Sequence, residues 1–375
     1  MRPLRLLAAV TGSPRLLAAA PRTGTAPVHV PPDSLSGAGG TAPAPGRPSS
    51  RTRLRAWAEL LRVSALFTVP GDALAGAAAT GRRPGRGTAL AVGASLCLYE
   101  AGMALNDWAD REEDAVDRPH RPIPSGSVAP GAALAAAGAL TAAGLALAAR
   151  AGRPALAVAS GLAATVWAYD LRLKHTRLGP AAMASARALD LLLGATATAG
   201  AASAAPAPAG THAAPGPAGT HAAPGPAGAH PPSAALPAAL ALGAHTYAVT
   251  AVSRHEVQGG STAAPLAALA GVAGLGAAAL RGRPAHGEPS PAPATGTLLL
   301  PAFVTAYLRT AAVPLLHAVL NPSPPLTRRA VGGGIRAMIP LQATLAARAG
   351  SPLVGLAAMG LVPLARALSR KVSPT

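Results

Sequence analysis

The chain has 375 residues, half of them hydrophobic, with only 2% aromatic and 12% charged side chains and a formal charge of +18. That charge is not a nucleic-acid footprint: all but Lys174 and Lys371 of the 32 basic residues are Arg, they fall in the gaps between apolar runs, and no basic face carries aromatic stacking platforms. The single Cys97 excludes an intramolecular disulfide and a cysteine-based zinc site.

In chain order, residues 1–53 are rich in Pro, Gly, Ser and Thr and are expected to form a disordered extension. Their apolar pieces are short and are cut by Pro14 and Arg15, unlike a cleaved signal peptide. Residues 54–370 read as one all-α, polytopic membrane domain. Apolar stretches of about 18 to 22 residues can cross a hydrocarbon core of roughly 30 Å as helices. They lack the polar residue at every third or fourth position that a soluble helix shows. Helices are predicted over 60–79, 88–107, 130–149, 154–171, 181–204, 234–253, 262–280, 296–319 and 335–368, about nine spans in all. The last contains Pro340, Gly350 and Pro352, so it reads as one broken span or as a short helix plus a full one.

Ionisable residues inside these spans are few. Asp72 follows Gly71 in the first. Arg187 and Asp190 in the fifth stand on one helical face where they can pair, as a structural ion pair or as part of an acceptor site. Two low-complexity inserts, 205–233 and 281–295, interrupt the domain. The first repeats PAGTHAAPG and spaces His212, His221 and His230 evenly, but a Pro/Gly chain offers no preformed geometry for a metal. The distribution of Arg and Lys among the loops favours an inside N-terminus in the cell membrane, which puts the loops after the second and fourth helices on the cytoplasmic side.

The loop after the second helix holds most of the chemistry. Of 14 Asp and Glu, seven lie in or just before the segment NDWADREEDAVDRPHRPIPSG, residues 106–126. At ~100° per residue, Asn106, Asp110 and Asp114 fall within a sector of about 80°, with Asp117 inside it and Asp107 at its edge. Such a set of oxygens repels itself in low dielectric, and a divalent cation removes the conflict. Hard oxygen ligands with room for water suit Mg²⁺ carried on a phosphate. Arg118 and Arg121 follow, and guanidinium forks match phosphate oxygens. Pro119, Pro122, Pro124 and Gly126 then impose a rigid turn. Acids for metal and Arg for phosphate at a membrane helix end read as a Mg-diphosphate site facing a lipidic cavity.

NDWADREED has the form N-D-x-x-D-x-x-x-D, and with RPHRPIPSG it resembles the first signature of the UbiA-type superfamily of membrane prenyltransferases, whose members include 4-hydroxybenzoate polyprenyltransferases. The resemblance implies nine helices around a central cavity, Mg²⁺ as cofactor, and transfer of a prenyl group from a prenyl diphosphate to an aromatic or other small acceptor, with membrane lipid around it. It implies metal or diphosphate ligands at Asn106, Asp110 and Asp114, phosphate contacts at Arg118 and Arg121, and a catalytic part for Asp107, Asp110 and Asp114. WAYDLRLKHTRLGP, closing the fourth helix, resembles the superfamily's Tyr, Lys/Arg and Thr near the diphosphate. It adds Tyr169, Lys174 and Thr176, with Arg172 and His175 as helpers. Arg187, Asp190 and His255 are candidates for contacts with substrate.

The second signature departs from the superfamily pattern. SRHEVQGGST, residues 253–262, keeps the glycine pair but has Glu256 as its only carboxylate, which is then the remaining metal ligand. This modified motif, with LLRVSALFTVPGDALAG at 60–76, resembles the EboC-like branch of UbiA homologues. An alternative reading is a catalytically degenerate homologue serving metabolite or lipid-linked export. The signature of CDP-alcohol phosphotransferases, D-G-x-x-A-R, does not occur.

Overall fold

A computed structural model of the chain describes residues 50–203, 229–281 and 294–372. Residues 1–49 of the expected extension, the repeat with His212 and His221, and most of the 281–295 insert lie outside the described residues. Twelve α-helices and no strand occur among the described residues. They are α1 (Ser50–Leu60), α2 (Pro70–Ala79), α3 (Arg86–Ala109), α4 (Arg111–Asp117), α5 (Pro130–Ala151), α6 (Arg153–Ala168), α7 (Gly179–Ser203), α8 (Leu236–Ser253), α9 (Ala263–Arg281), α10 (Ala294–Leu320), α11 (Pro324–Arg348) and α12 (Pro352–Val372). Helix α1 begins inside the stretch expected to be extension.

Proline and glycine set the boundaries. Pro occupies the first turn of α2, α5, α6, α11 and α12, where its missing N–H costs nothing. Gly152 and Gly350 follow α5 and α11 with φ of 128° and 82°, which a side chain would resist. Gly350 resolves the last predicted span, 335–368: it is two helices, and the first starts back at Pro324. Proline 340 does not end α11: it lacks the N–H that would reach Arg336 O, and the helix continues through it within the surrounding bundle. The first predicted span is also broken, into a 3-10 turn over Val63–Thr68 and the short α2.

Long apolar helices dominate. Five stretches among the described residues, in α3, α5, α8, α9 and α10, are long and apolar enough to cross a membrane. The protein is an all-α, polytopic membrane protein. Large apolar side chains such as Leu240, Leu298 and Leu353 point outward, where hydrocarbon rather than water suits them.

Small residues set how closely the helices pack. A Cβ at Gly76 would lie 2.0 Å from Leu191 O, and one at Gly194 would lie 2.3 Å from Ala73 O. Glycine at these two positions lets α2 and α7 approach backbone to backbone, the membrane substitute for bulky interlocking side chains. Helices α2 and α7 contribute to both main cores. Ala75, Leu191 and Ala195 belong to the one shared with α8–α11, and Ala73, Leu193 and Ala197 to the one shared with α3, α5 and α6. A cavity remains where α3, α6 and α7 meet.

Candidate active site

The acidic segment stays helical across its junction. Asp110 ends α3 and opens α4, with its N–H bonded to Asn106 O at 3.0 Å and its carbonyl to Asp114 N–H at 2.8 Å. The helical phase read from the sequence therefore carries through, and the carboxylates face one rim. The turn after α4, closed by Gly126 at φ 74°, folds Arg121 back over them.

Asp107, Asp110 and Asp114 each have a cation. Arg121 Nη1 reaches Asp107 at 2.8 Å and Asp114 at 3.1 Å. Asp114 also takes Arg118 at 2.7 Å, and Asp107 takes Arg62 at 3.3 Å. Lys174, from the loop after α6, pairs with Asp110 Oδ1. Guanidinium and ammonium groups of the chain thus share the compensation of these oxygens that the sequence assigns to a divalent cation. Asp107 and Asp114 are buried at 4% and 1% exposure, and Arg62, Arg118 and Arg121 each give them at least one N–H.

A narrower group retains ligand geometry. One oxygen each of Asp110 and Glu113 and a ring nitrogen of His175 lie within 4.8 Å of one another. That spread matches donors around a single divalent cation that keeps several waters, so these residues fit such an ion. Among the described His, Cys, Asp and Glu residues this is the group of three so placed, and it does not include Asp114 or Glu256. Asn106 donates through Nδ2 to Asp170 Oδ1 at 3.1 Å. Glu256, in the turn after α8, has its carboxyl pushed up by burial, with Arg328 as an opposing charge. The same turn reaches the rim through Arg254, whose guanidinium donates to Thr176 O. The Thr176 hydroxyl donates to Leu173 O at 2.7 Å, Arg172 is exposed, and His255 bonds through its backbone to Val252 O and Gly259 N–H.

Below the rim lies a cavity of about 250 Å³. Its mouth is polar, formed by Arg62, Asn106, Tyr169 and Asp170. Its walls are apolar, with Leu98, Met103, Val166 and Met183 among them. Ser95, Arg187 and Asp190 line its far end. A π-helical turn, Tyr169–Leu173, continues α6 and presents Tyr169 and Asp170 inward.

The far end corrects a second expectation. Arg187 does not pair primarily with Asp190 on its own helix but with Asp72 of α2, at 2.6 Å. Asp190 accepts from the Ser95 hydroxyl. Gln342 of α11 donates through Nε2 to Asp72 Oδ1 at 2.6 Å and to Thr68 O at 2.7 Å. The close α2–α7 approach brings Asp72 within reach of the guanidinium, while Asp190 takes the Ser95 hydroxyl. Gly71 leaves the space for Gln342, since a Cβ there would lie 2.0 Å from its Oε1.

Sequence reasoning missed Arg62, Glu113, Asp170, Ser95 and Gln342 as site residues. Arg62 carried no clear local signal; it adopts φ 48°, a left-handed backbone held by tertiary contacts. Gln342 carried none, because its partners lie hundreds of residues earlier.

Comparison with known proteins agrees with this arrangement. The family model of the UbiA prenyltransferase family matches residues 64–317. A digeranylgeranylglyceryl phosphate synthase from Methanopyrus kandleri is 38% identical over 92 residues, 24% of this chain and 34% of that relative. The chain thus matches about a third of that curated relative's length. Among solved structures, a UbiA homolog from Aeropyrum pernix K1 superposes with a TM-score of 0.53 at 16% identity, over 75% of this chain and 96% of the other. A UbiA homolog from Archaeoglobus fulgidus bound to GPP and Mg²⁺ gives a TM-score of 0.51 at 18% identity, over 81% and 99%. At such identities the likeness is one of fold. With more than half of its length matched by the family model, the chain belongs to the UbiA prenyltransferase family.

Proposed function

We propose that the protein is a Mg²⁺-dependent membrane prenyltransferase that moves a prenyl group from a prenyl diphosphate to an aromatic or other small acceptor, with its rim on the cytoplasmic face of the cell membrane. The observation that carries this reading is an apolar-walled cavity whose mouth is formed by Arg62, Asn106, Tyr169 and Asp170, on the same helix end and loop that carry the Asp110–Lys174 pair. The solved relative from Archaeoglobus fulgidus, bound to GPP and Mg²⁺, supports the same ligand classes. The family match and the named synthases favour transfer over the degenerate export reading.

Asp110, Glu113 and His175 would hold the ion, which when bound supplies neutralising charge for the leaving diphosphate. The chain's own residues do the rest. Lys174 and Arg62 donate to phosphate oxygens, and their charge takes up what develops as the allylic C–O bond breaks and its electron pair leaves with the diphosphate. Leu98, Met103 and Val166 keep water from the allylic carbon. The acceptor then forms the new bond to that carbon and releases its proton. Asp107, Asp114, Arg118 and Arg121 act as a frame that sets the direction of Asp110. Tyr169 lines the mouth next to the reacting carbon. Thr176 and Arg172 shape the loop that carries Lys174.

The test uses membranes holding the full chain, incubated with labelled prenyl diphosphates in Mg²⁺ or in EDTA. Mg²⁺-dependent diphosphate release that vanishes in Asp110→Ala is the expected result. No release at any chain length, with any acceptor offered, overturns it.

A further inference from the structure

Helix α1, SRTRLRAWAEL, is too rich in arginine to enter hydrocarbon and too apolar along one side to stand in water. At ~100° per residue its side chains fall into three sectors. Ala56 and Leu60 share the first. Both are buried, packed with Ala104 and Leu105 of α3 and with Ile123 and Val128 of the turn after α4. The second carries Trp57 at its border, then Leu54 and Ala58, and Leu61 continues it past the helix end. Leu54 is 71% exposed. The third carries Arg51 and Arg55, both exposed. Protein covers the first sector, and the other two point away from it.

Neighbouring side chains fix the depth of this helix. The chain has three Trp, and all of them, Trp57, Trp108 and Trp167, pack against the same small core. Trp108 and Trp167 stand at the rim ends of α3 and α6, and the Arg111 guanidinium lies over the Trp108 ring at 4.8 Å. Tryptophan gathered at one end of a membrane bundle, with arginine beside it, marks the boundary between hydrocarbon and water. Helix α1 therefore lies at headgroup level, where its apolar sector meets acyl chains and its basic sector meets phosphates. Neither Arg51 nor Arg55 pairs with a carboxylate among the described residues. The helix ends at Leu60, and two residues on, Arg62 turns the chain through a left-handed backbone that its surroundings must hold. Arg62 reaches Asp107 at 3.3 Å and forms part of the cavity mouth. We propose that α1 is a surface helix that binds the phosphates of anionic membrane lipids through Arg51 and Arg55, with Leu54 in the acyl boundary, and that this seating holds Arg62 at the cavity mouth. The functional weight of the second clause rests on the prenyl transfer proposed above. An acidic protein partner would offer the arginines the same charge but no hydrocarbon for Leu54, whereas lipid satisfies both sectors at once.

The experiment uses the purified full chain in nanodiscs of phosphatidylcholine alone, or of equal parts phosphatidylcholine and phosphatidylglycerol. Cys97→Ser removes the native thiol, and a nitroxide is attached at Leu54→Cys. Its collisions with oxygen and with a water-soluble nickel chelate report its depth. The expected result is a label within the acyl boundary in anionic discs that moves toward water in neutral ones. Each arginine near an anionic surface favours the seated state by about fivefold. Arg51→Gln combined with Arg55→Gln should therefore lower the seating equilibrium by about twentyfold and remove the difference between the discs. A label in water in both discs overturns the seat. A label equally deep in both, or unmoved by the double variant, overturns the part played by anionic lipid. Diphosphate release in the same discs is expected to fall severalfold in neutral lipid and in the double variant, and to lose its lipid dependence in Arg62→Gln. Release that ignores lipid, or a lipid dependence that survives in Arg62→Gln, overturns the hold on Arg62 while the seat stands. No release in any disc overturns the transferase reading and leaves the depth measurement to decide the seat.

Discussion

The rim and the floor of the cavity hold their charged groups in opposite ways. At the rim, cations reach the carboxylates from loops and turns: Lys174 follows α6, and Arg118 and Arg121 follow α4. At the floor, every partner sits inside a packed helix, with Asp72 on α2, Ser95 on α3, Asp190 and Arg187 on α7 and Gln342 on α11. Pairs carried on loops can exchange a protein partner for a ligand at small cost in packing. Pairs carried on interlocked helices cannot. The difference separates a place for chemistry from a place that ties helices together.

Substitutions can break this contrast. The largest effect falls on the floor. Arg187→Met leaves Asp72 buried without its cation and should cost about 3–5 kcal/mol, read as a loss of thermal stability in detergent. Adding Asp72→Asn should recover most of it, and failure to recover would show that the pair is not the floor's organising contact. At the rim, Asp110→Ala should leave stability nearly unchanged but lower diphosphate release by about 10²–10³-fold, the usual scale for losing one charge-stabilising group. A variant that instead melts early would make the rim structural like the floor.

Finer tests sharpen the same line. Titrating Mn²⁺ by electron paramagnetic resonance should show His175→Ala weakening the ion by about tenfold or more, with no change in melting. Unchanged affinity would remove the imidazole from the site. His245 offers a neutral counterpart to the floor: its ring bonds Tyr307 Oη and Gly334 O, both at 3.0 Å, joining α8, α10 and α11. His245→Phe should cost about 1–3 kcal/mol by orphaning both partners, with transfer chemistry intact in the folded fraction. The smallest effect belongs to Glu112, exposed and paired only with Arg111. Glu112→Gln should change stability by less than about 0.5 kcal/mol.

Much of the fold was legible because hydrophobic runs and Pro/Gly punctuation are local. Helices α3 and α5 to α10 begin and end within a few residues of the positions their sequence implies. The run 335–368 misled: Pro340 looks like a break but sits in a bundle that tolerates it, whereas Pro324 is a helix start hidden in a polar, Arg-bearing stretch. The acidic face was legible too, because α-helical phase survives the α3–α4 junction. Its neutralisation was not. Arg62 lies 44 residues from Asn106, Lys174 lies 64 from Asp110, and no local pattern reports such meetings.

What the sequence determined by itself is the set of spans, the oxygen-rich face at the end of α3, and through them the family. These follow from the period of one helix and the polarity of single residues. Only the tertiary structure decided which cation meets which acid. It gave Arg187 to Asp72 instead of Asp190, set Gln342 behind them, and let His175 join Asp110 and Glu113. The physical reason is that a buried charge takes the partner that helix packing brings nearest, and in a bundle of alanine and glycine faces that partner comes from another helix.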